Sequence, residues 1–318
     1  MLKSSSPNRT KSPLIPLNED SPAAKILSNR PILMGAAMIM VITYHFFSWV
    51  YNPINSFNIG YVGVDIFMFL SGLGLSSSYR KNSIFHFYRN RVYRIYPIYF
   101  LSLLTTYLFF KLNWNITDLA LNILTIGIYT KEGLYRYDWF LESLFSLYLL
   151  FPIFYLYGKT RIKGIVLLLF VVVLVLYNYN ISWWYECILG RLPIFVYGAA
   201  FKECGNSYKD FSLLGIILYF PCRIMISPFL ASSMLALPIM MILLAIQANF
   251  PLKIKKILSY VGNHSLEIYI ANLYVYWTFE TTPFSTAKKL LIFILLQFIM
   301  TIILVKLNNN IRQLLTKQ

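Results

Sequence analysis

Long apolar runs separated by short polar segments fill most of the chain. The clearest run, residues 31–50, carries no charged side chain and has the length of roughly 20 residues that a transmembrane helix needs. Comparable apolar segments follow at 61–79, 92–111, 117–130, 138–157, 163–178, 187–203, 210–227, 229–249, 258–279 and 286–306. This pattern predicts an all-α polytopic membrane protein.

The segment near 117–130 differs from the others because its 14 residues are too few for a span. We expect it to be a re-entrant or interfacial segment. Leaving it out gives about ten transmembrane helices with both termini in the cytoplasm. This topology places most of the 28 lysines and arginines on the inner side, as the positive-inside rule requires.

Composition divides the chain into three parts. Residues 1–30 are rich in serine, proline and charge, which predicts a disordered cytoplasmic tail. Residues 31–306 form the transmembrane domain, and residues 307–318 are predicted to be a cytoplasmic C-terminal tail. We attribute the net charge of +16 to inner loops and expect no nucleic-acid partner. The scattered histidines and cysteines predict no metal site and no permanently bound cofactor.

Several ionisable residues lie inside apolar segments, where burial in lipid is costly and often marks function. The predicted topology gathers a polar cluster in the outer half of the membrane, composed of His45, Asp65, Glu142, Arg191 and Arg223, while Glu267 approaches from the cytoplasmic side. His45 is the strongest catalytic candidate because a neutral imidazole takes up a proton near neutral pH. Asp65 and Glu142 have an alternative structural role, as ion-pair partners of Arg191 or Arg223.

A basic segment precedes the third span and contains Arg89, Arg91 and Arg94. These arginines are either ordinary positive-inside residues or ligands for a phosphorylated substrate, since guanidinium groups match phosphate geometry. With the polar cluster above them, the arrangement indicates two substrates that arrive from opposite faces.

Six segments carry a resemblance to a known family. They are "MGAAMIMVITYHFF", "GYVGVDIFMFLSGLGL", "FYRNRVYRIYPIYF", "WFLESLFSLYLLFPI", "RLPIFVYGAAF" and "VGNHSLEIYI". In content and order they resemble the acyltransferase-3 family of integral-membrane acyltransferases, from about Met34 to Tyr269. The most specific parts are the first-span histidine, the "GVDIFMFLSG" segment and the "RVYRIYPIY" that follows.

The resemblance implies a multi-pass enzyme of the cell membrane, most often bacterial, that moves an acetyl or other acyl group from acyl-CoA to a hydroxyl of a cell-surface or lipid-linked glycan. It implies that His45 is catalytic and that Arg91 and Arg94 meet the phosphates of CoA. We expect Asp65 to assist His45. Donor binding would also involve Arg89 and Arg30, and acceptor binding Glu142, Arg191 and Glu267. Acetyl-CoA is then a substrate, and the bilayer surrounds the protein.

One position departs from the family pattern. An arginine is expected eleven residues before the histidine, where this chain has Met34. Arg30 lies one helical turn earlier on the same face and is the candidate replacement. A transporter or flippase for an anionic or lipid-linked glycan, and a catalytically inactive relative, are the alternative functions.

Overall fold

A computed structural model gives the structure of residues 20–51, 59–110, 115–129, 138–155, 187–203 and 208–316. Within these ranges the chain is helical and has no β-strand. The helices are α1 (Pro22–Ser28), α2 (Arg30–Tyr51), α3 (Ile59–Lys81), α4 (Ile84–Phe109), α5 (Ile116–Ile123), α6 (Trp139–Tyr155), α7 (Leu192–Ala200), α8 (Tyr208–Met225), α9 (Pro228–Ile246), α10 (Leu252–Asn263), α11 (Ser265–Thr281) and α12 (Thr286–Thr316). The all-α prediction is confirmed for this part of the chain.

Helices α2 and α3 pack side by side in opposite directions. Gly60, at the start of α3, lies against Tyr44 near the end of α2, whereas Gly74 lies beside Arg30 at the start of α2. The pair therefore has two distinct ends. We call the end with the start of α2 and the end of α3 the arginine end, and the end with His45 the histidine end.

Glycine lets neighbouring helices approach backbone to backbone. A Cβ atom on Gly72 of α3 would lie 2.3 Å from the carbonyl oxygen of Phe195 on α7. A Cβ on Gly262 of α10 would lie 1.9 Å from the carbonyl oxygen of Pro31 on α2. Both distances are too short for any side chain, so these two helix pairs depend on the small residue, as membrane helix pairs often do.

Helices α3 and α11 are buried and apolar around most of their circumference. A helix that is apolar on all sides belongs in the interior of a bundle. By contrast, α8 and α12 expose large apolar side chains, among them Ile224, Phe298 and Ile302. Such exposed apolar faces are suited to contact with lipid tails.

Four helices in the described part of the chain are long and apolar enough to cross a membrane: Arg30–Tyr51, Ile59–Lys81, Pro228–Asn249 and Thr286–Leu315. Shorter apolar helices lie at Trp139–Tyr155 and Cys187–Ala200. The chain is thus an all-α membrane protein. The predicted total of about ten spans and the cytoplasmic termini stay predictions, and the predicted span at 163–178 and most of the tail at 1–30 lie outside the described residues.

Two predicted segments differ from the helices observed. The apolar segment at 258–279 is two helices, because the chain leaves helical geometry at His264, after the weak helix formers Gly262 and Asn263. The first of these helices, α10, begins before the predicted segment and includes Lys253, Lys255 and Lys256. At 117–130 the structure has only the eight-residue helix α5, capped by reciprocal bonds between Asn115 and Asp118, and a 3₁₀ turn at Gly127–Tyr129. It is short, as expected.

Candidate active site

A cavity of about 270 Å³ lies at the arginine end, between α2, α3, α4, α6 and the start of α11. Arg30 reaches it from the first turn of α2. Arg91 and Arg94 reach it from α4, where a spacing of three residues places them on one side of the helix. The rest of the wall includes Met34, Met38, Phe67, Phe140, Tyr148 and Tyr269. We call this space the arginine cavity.

The three arginines of the cavity have no acidic partner among the described residues. The Nε atoms of Arg30 and Arg91 are buried and make no hydrogen bond within the described ranges. The guanidinium carbon of Arg91 lies 5.6 Å from the ring centroid of Phe87, a cation–π contact. A cleft lined by like charges with free N–H donors attracts an anion.

Arg89 lies apart from this cluster. It is exposed and does not line the cavity, although it is only two residues from Arg91. Residues two apart on a helix point in different directions, which explains the separation. Of the four arginines predicted to bind the donor, the structure brings together Arg30, Arg91 and Arg94.

His45 lies near the opposite end of α2, half-buried between aromatic rings. Its imidazole stacks on Trp49, with centroids 4.3 Å apart and planes 8° from parallel. The ring of the preceding residue, Tyr44, is tilted relative to the imidazole, with 5.6 Å between the two centroids. The Nδ1 atom is hydrogen-bonded to Oδ1 of Asn272 on α11. The ring is thus held in position by packing and by a polar contact from a second helix.

The polar contact continues into a third helix. Asn272 donates a hydrogen bond from Nδ2 to Oε1 of Gln297 on α12, at 3.0 Å. Gln297 in turn donates from Nε2 to the backbone carbonyl oxygen of Ile268, also at 3.0 Å. Asn272 is 1% exposed, so these amides satisfy one another inside the bundle. We call His45, Asn272, Gln297 and the Ile268 carbonyl the amide chain.

Asp65 is placed with Arg191 rather than with His45. Its Oδ1 lies 3.5 Å from Nε of Arg191, and its Oδ2 accepts a 2.6 Å hydrogen bond from Ser232. Both charged side chains are 0% exposed. This is the ion pair that the sequence left open as a structural role for Asp65, and no contact between Asp65 and His45 is present.

Aromatic rings surround the Arg191 guanidinium. Its carbon lies 4.5 Å from the ring centroid of Trp139, 5.2 Å from that of Phe229 and 5.8 Å from that of Tyr61. Its Nη1 donates a 2.9 Å hydrogen bond to the carbonyl oxygen of Cys187. These contacts enclose the charge, although Nε and Nη2 of Arg191 make no hydrogen bond within the described part of the chain. The ion pair and the aromatic rings indicate a helix-packing role for a residue predicted to bind substrate.

The two glutamates predicted to bind the acceptor are also buried in helix contacts. Glu142 on α6 accepts a 2.7 Å hydrogen bond from the backbone N–H of Ile128, which ties the turn after α5 to the bundle. Glu267 on α11 accepts a hydrogen bond from Nδ2 of Asn308 on α12. Neither lies beside His45, so the polar cluster predicted from topology is divided into separate contacts.

The arginine cavity and His45 are separated along α2. Met38 is the last residue of α2 that lines the cavity, and His45 follows seven residues later, roughly 10 Å further along the helix axis. A long flexible ligand anchored at the arginines would have to extend past Met38 to reach the imidazole.

Comparison with protein families gives one match. A family model described as an acyltransferase domain matches residues 33–307, which is most of the chain and includes every candidate residue except Arg30. The chain belongs to the acyltransferase-3 family. Comparisons with curated proteins and with solved structures gave no match. The family supports a membrane acyltransferase, as the resemblance of the six segments indicated.

The departure from the acyltransferase-3 pattern can now be placed in the structure. Met34 and Arg30 line the same cavity, one turn apart on α2. The guanidinium of Arg30 also lies beside Gly74 on α3, where a Cβ atom would be 3.8 Å away. A positive charge therefore occupies this wall of the cavity although the expected position carries methionine.

Two polar residues of this acyltransferase were not identified from the sequence, namely Asn272 and Gln297. Both lie within apolar helices, in "YIANLYVYW" and "IFILLQFIM". Uncharged amides in such segments are a recognised signal of helix-to-helix hydrogen bonds in membranes. Because neither side chain carries a charge, the cost of burying charge in lipid did not point to them.

Proposed function

We propose that this protein is an O-acyltransferase that moves an acetyl group from acetyl-CoA to a hydroxyl of a cell-surface or lipid-linked glycan. The observation that carries the proposal is the cluster of Arg30, Arg91 and Arg94 without any acidic partner in the described residues, located at the opposite end of α2 from His45. Donor and catalytic group are thereby assigned to two ends of the same helix.

The arginine cavity suits the donor because CoA carries several phosphate charges. Guanidinium groups hold phosphate through paired N–H donors, and the buried Nε atoms of Arg30 and Arg91 are free to donate. The remaining apolar wall, with Met38, Phe67 and Phe140, suits the less polar arm that ends in the thioester. In this proposal the arm extends along α2 from the cavity towards His45.

His45 is the proposed general base. Its Nε2 atom would remove the proton from a sugar hydroxyl while the hydroxyl oxygen attacks the thioester carbonyl carbon. The carbon–sulfur bond then breaks, and the CoA thiolate leaves and takes up the proton held by the imidazole. Attack by Nε2 itself on the thioester, which gives a transient acyl-histidine, is the second route.

The aromatic side chains near His45 suit a sugar acceptor. Trp49 stacks on the imidazole, and Tyr44 lies within hydrogen-bonding reach of Tyr61, with 3.4 Å between the hydroxyl oxygens. Aromatic residues combine a flat apolar surface with a polar edge, which matches the two kinds of surface on a sugar ring. We place the acceptor at this end, on the outer side of a bacterial cell membrane.

The test uses membranes that contain the wild-type protein, His45→Ala, or the control His86→Ala, whose histidine is exposed on α4. Each is given acetyl-CoA labelled in the acetyl group, and alkali-labile label is counted in the glycan fraction. We expect label with wild type and with His86→Ala, and at least a 100-fold loss with His45→Ala, about the contribution of a general base. Label that is unchanged in His45→Ala overturns the assignment. No label and no CoA release with wild type favours the transporter or the inactive relative.

A further inference from the structure

The amide chain has a fixed direction, and its last member determines that direction. The backbone carbonyl oxygen of Ile268 has no hydrogen to donate, so the Gln297 group that faces it must be the NH₂ group. The other end of the same amide, Oε1, then faces Asn272. This orientation follows from hydrogen-bond chemistry, because the reversed amide would place two oxygens in contact.

The same reasoning applies to the next amide. Oε1 of Gln297 is an acceptor only, so Asn272 must present its NH₂ group to it and its Oδ1 to His45. Oδ1 of Asn272 accepts but cannot donate. Nδ1 of His45 must therefore carry the proton, and in the neutral ring Nε2 keeps its lone pair.

We propose that Asn272 and Gln297 are positioning residues that hold His45 as the Nδ1–H tautomer and so reserve Nε2 for the proton of the acceptor hydroxyl. In the described part of the chain, Nδ1 of His45 bonds to Asn272 and Nε2 has no hydrogen-bond partner. The stack on Trp49 fixes the plane of the ring. The role of Nε2 in the reaction rests on the proposed function, whereas the tautomer does not.

The side chains of the amide chain come from three helices. His45 is on α2, Asn272 is on α11 and Gln297 is on α12. A change at residue 297 alters the chemistry of His45 only through Asn272. Substitution at this remote position can therefore separate a positioning role from simple packing, since the replacement side chain can keep, remove or reverse the hydrogen-bond direction.

Two variants of similar length give opposite predictions. In Gln297→Glu the side chain still accepts from Asn272 in either protonation state, so the direction of the chain is kept. In Gln297→Lys the ammonium group is a donor only, so Asn272 must turn its Oδ1 towards residue 297 and its NH₂ towards His45. Nδ1 must then accept, and the proton moves to Nε2. The side chain of Gln297→Met neither donates to nor accepts from Asn272, so neither tautomer of His45 is favoured.

The tautomer is measured without substrate, on full-length protein labelled with ¹⁵N-histidine in detergent micelles. His86→Asn and His264→Asn are introduced together so that His45 is the only labelled ring in this 318-residue chain. We expect a protonated Nδ1 and an unprotonated Nε2 in this background and with Gln297→Glu. With Gln297→Lys we expect the reverse, and with Gln297→Met a mixture. A protonated Nε2 in the background protein, or the same tautomer in all variants, overturns the proposal.

Acyl-transfer kinetics give the second readout. Gln297→Lys should lower kcat by about 100-fold or more, as expected when the base nitrogen is blocked, with the KM for acetyl-CoA within about twofold of wild type. Gln297→Glu should retain kcat within about threefold. Equal losses of kcat in the two variants overturn the positioning role. If wild type shows the Nδ1–H tautomer but transfers no acyl group, the positioning inference stands and the acyl-transfer proposal fails.

Discussion

Two groups of arginine side chains in this protein have opposite surroundings. Arg191 has a carboxylate 3.5 Å away, a backbone carbonyl at 2.9 Å and three aromatic rings around it. Arg30, Arg91 and Arg94 share a cavity that contains no described carboxylate. The first arrangement has its counter-charge within the protein, whereas the second, in our proposal, receives its counter-charge from the phosphates of the donor. The contrast shows that an arginine in a membrane domain must be interpreted through its partners.

The largest expected effect is on stability, at the buried ion pair of Asp65 and Arg191. Arg191→Met leaves Asp65 buried without a counter-charge, which we expect to lower the free energy of unfolding by about 3–5 kcal/mol. Thermal unfolding in detergent measures the loss. Adding Asp65→Asn to Arg191→Met should recover part of it, because the stranded charge is removed. An unfolding temperature equal to wild type, with a weaker acceptor KM, would instead support the substrate-binding role predicted from the sequence.

The next effect is on donor affinity, at the cavity. Removing one charge-assisted hydrogen bond costs about 1.5–3 kcal/mol, so Arg91→Gln with Arg94→Gln should raise the KM for acetyl-CoA by more than tenfold. The unfolding temperature should stay equal or rise, because like charges are removed. Arg89→Gln is the matched control from the outer face of α4 and should change the KM by less than about twofold. An equal rise in the KM for acetyl-CoA in Arg89→Gln and in the Arg91→Gln, Arg94→Gln double variant would contradict the separation of Arg89 from the cavity arginines.

A third variant tests whether Arg30 supplies the charge that Met34 lacks. Arg30→Gln alone should raise the KM for acetyl-CoA by about tenfold, which corresponds to a loss of about 1.4 kcal/mol in donor binding. Adding Met34→Arg moves the charge one turn along the same cavity wall and should restore the KM to within about threefold. Failure of Met34→Arg to rescue, in protein that unfolds like wild type, would mean that the position of Arg30 matters beyond its charge.

The smallest expected effect is at Glu142. Glu142→Gln keeps a side-chain oxygen that accepts the N–H of Ile128, so the turn after α5 remains attached to α6. We expect kcat and both KM values to change by less than about twofold, which corresponds to less than 0.5 kcal/mol. Steady-state kinetics with saturating acetyl-CoA and varied acceptor provide the measurement. A tenfold rise in the acceptor KM would assign Glu142 to substrate binding after all.

Much of this architecture could be predicted because its causes are local in the sequence. Apolar length predicts the helices α2, α3, α9 and α12, and the helical period predicts that Arg91 and Arg94 share a face. The close approach of α3 and α7 at Gly72 likewise has a local cause, because a residue without a side chain lets two helix backbones meet.

The partners of the buried polar groups could not be predicted in the same way. They depend on which helices become neighbours, and Asp65, Ser232 and Arg191 are brought together from α3, α9 and the turn before α7. Depth in the membrane alone placed Asp65 and His45 at a similar level. It did not show that Asn272, more than 200 residues after His45, would be its hydrogen-bond partner.

The central claim is that acyl-CoA binds at the arginine end and that the acyl group is transferred at the histidine end. Sealed inverted and right-side-out membrane vesicles, each with wild type or His45→Ala, separate the two faces. Labelled acetyl-CoA is added outside, and alkali-labile label on glycan is counted. We expect label in inverted vesicles only, inside the lumen and dependent on His45. Equal labelling of right-side-out vesicles, or label that does not require His45, would contradict the account.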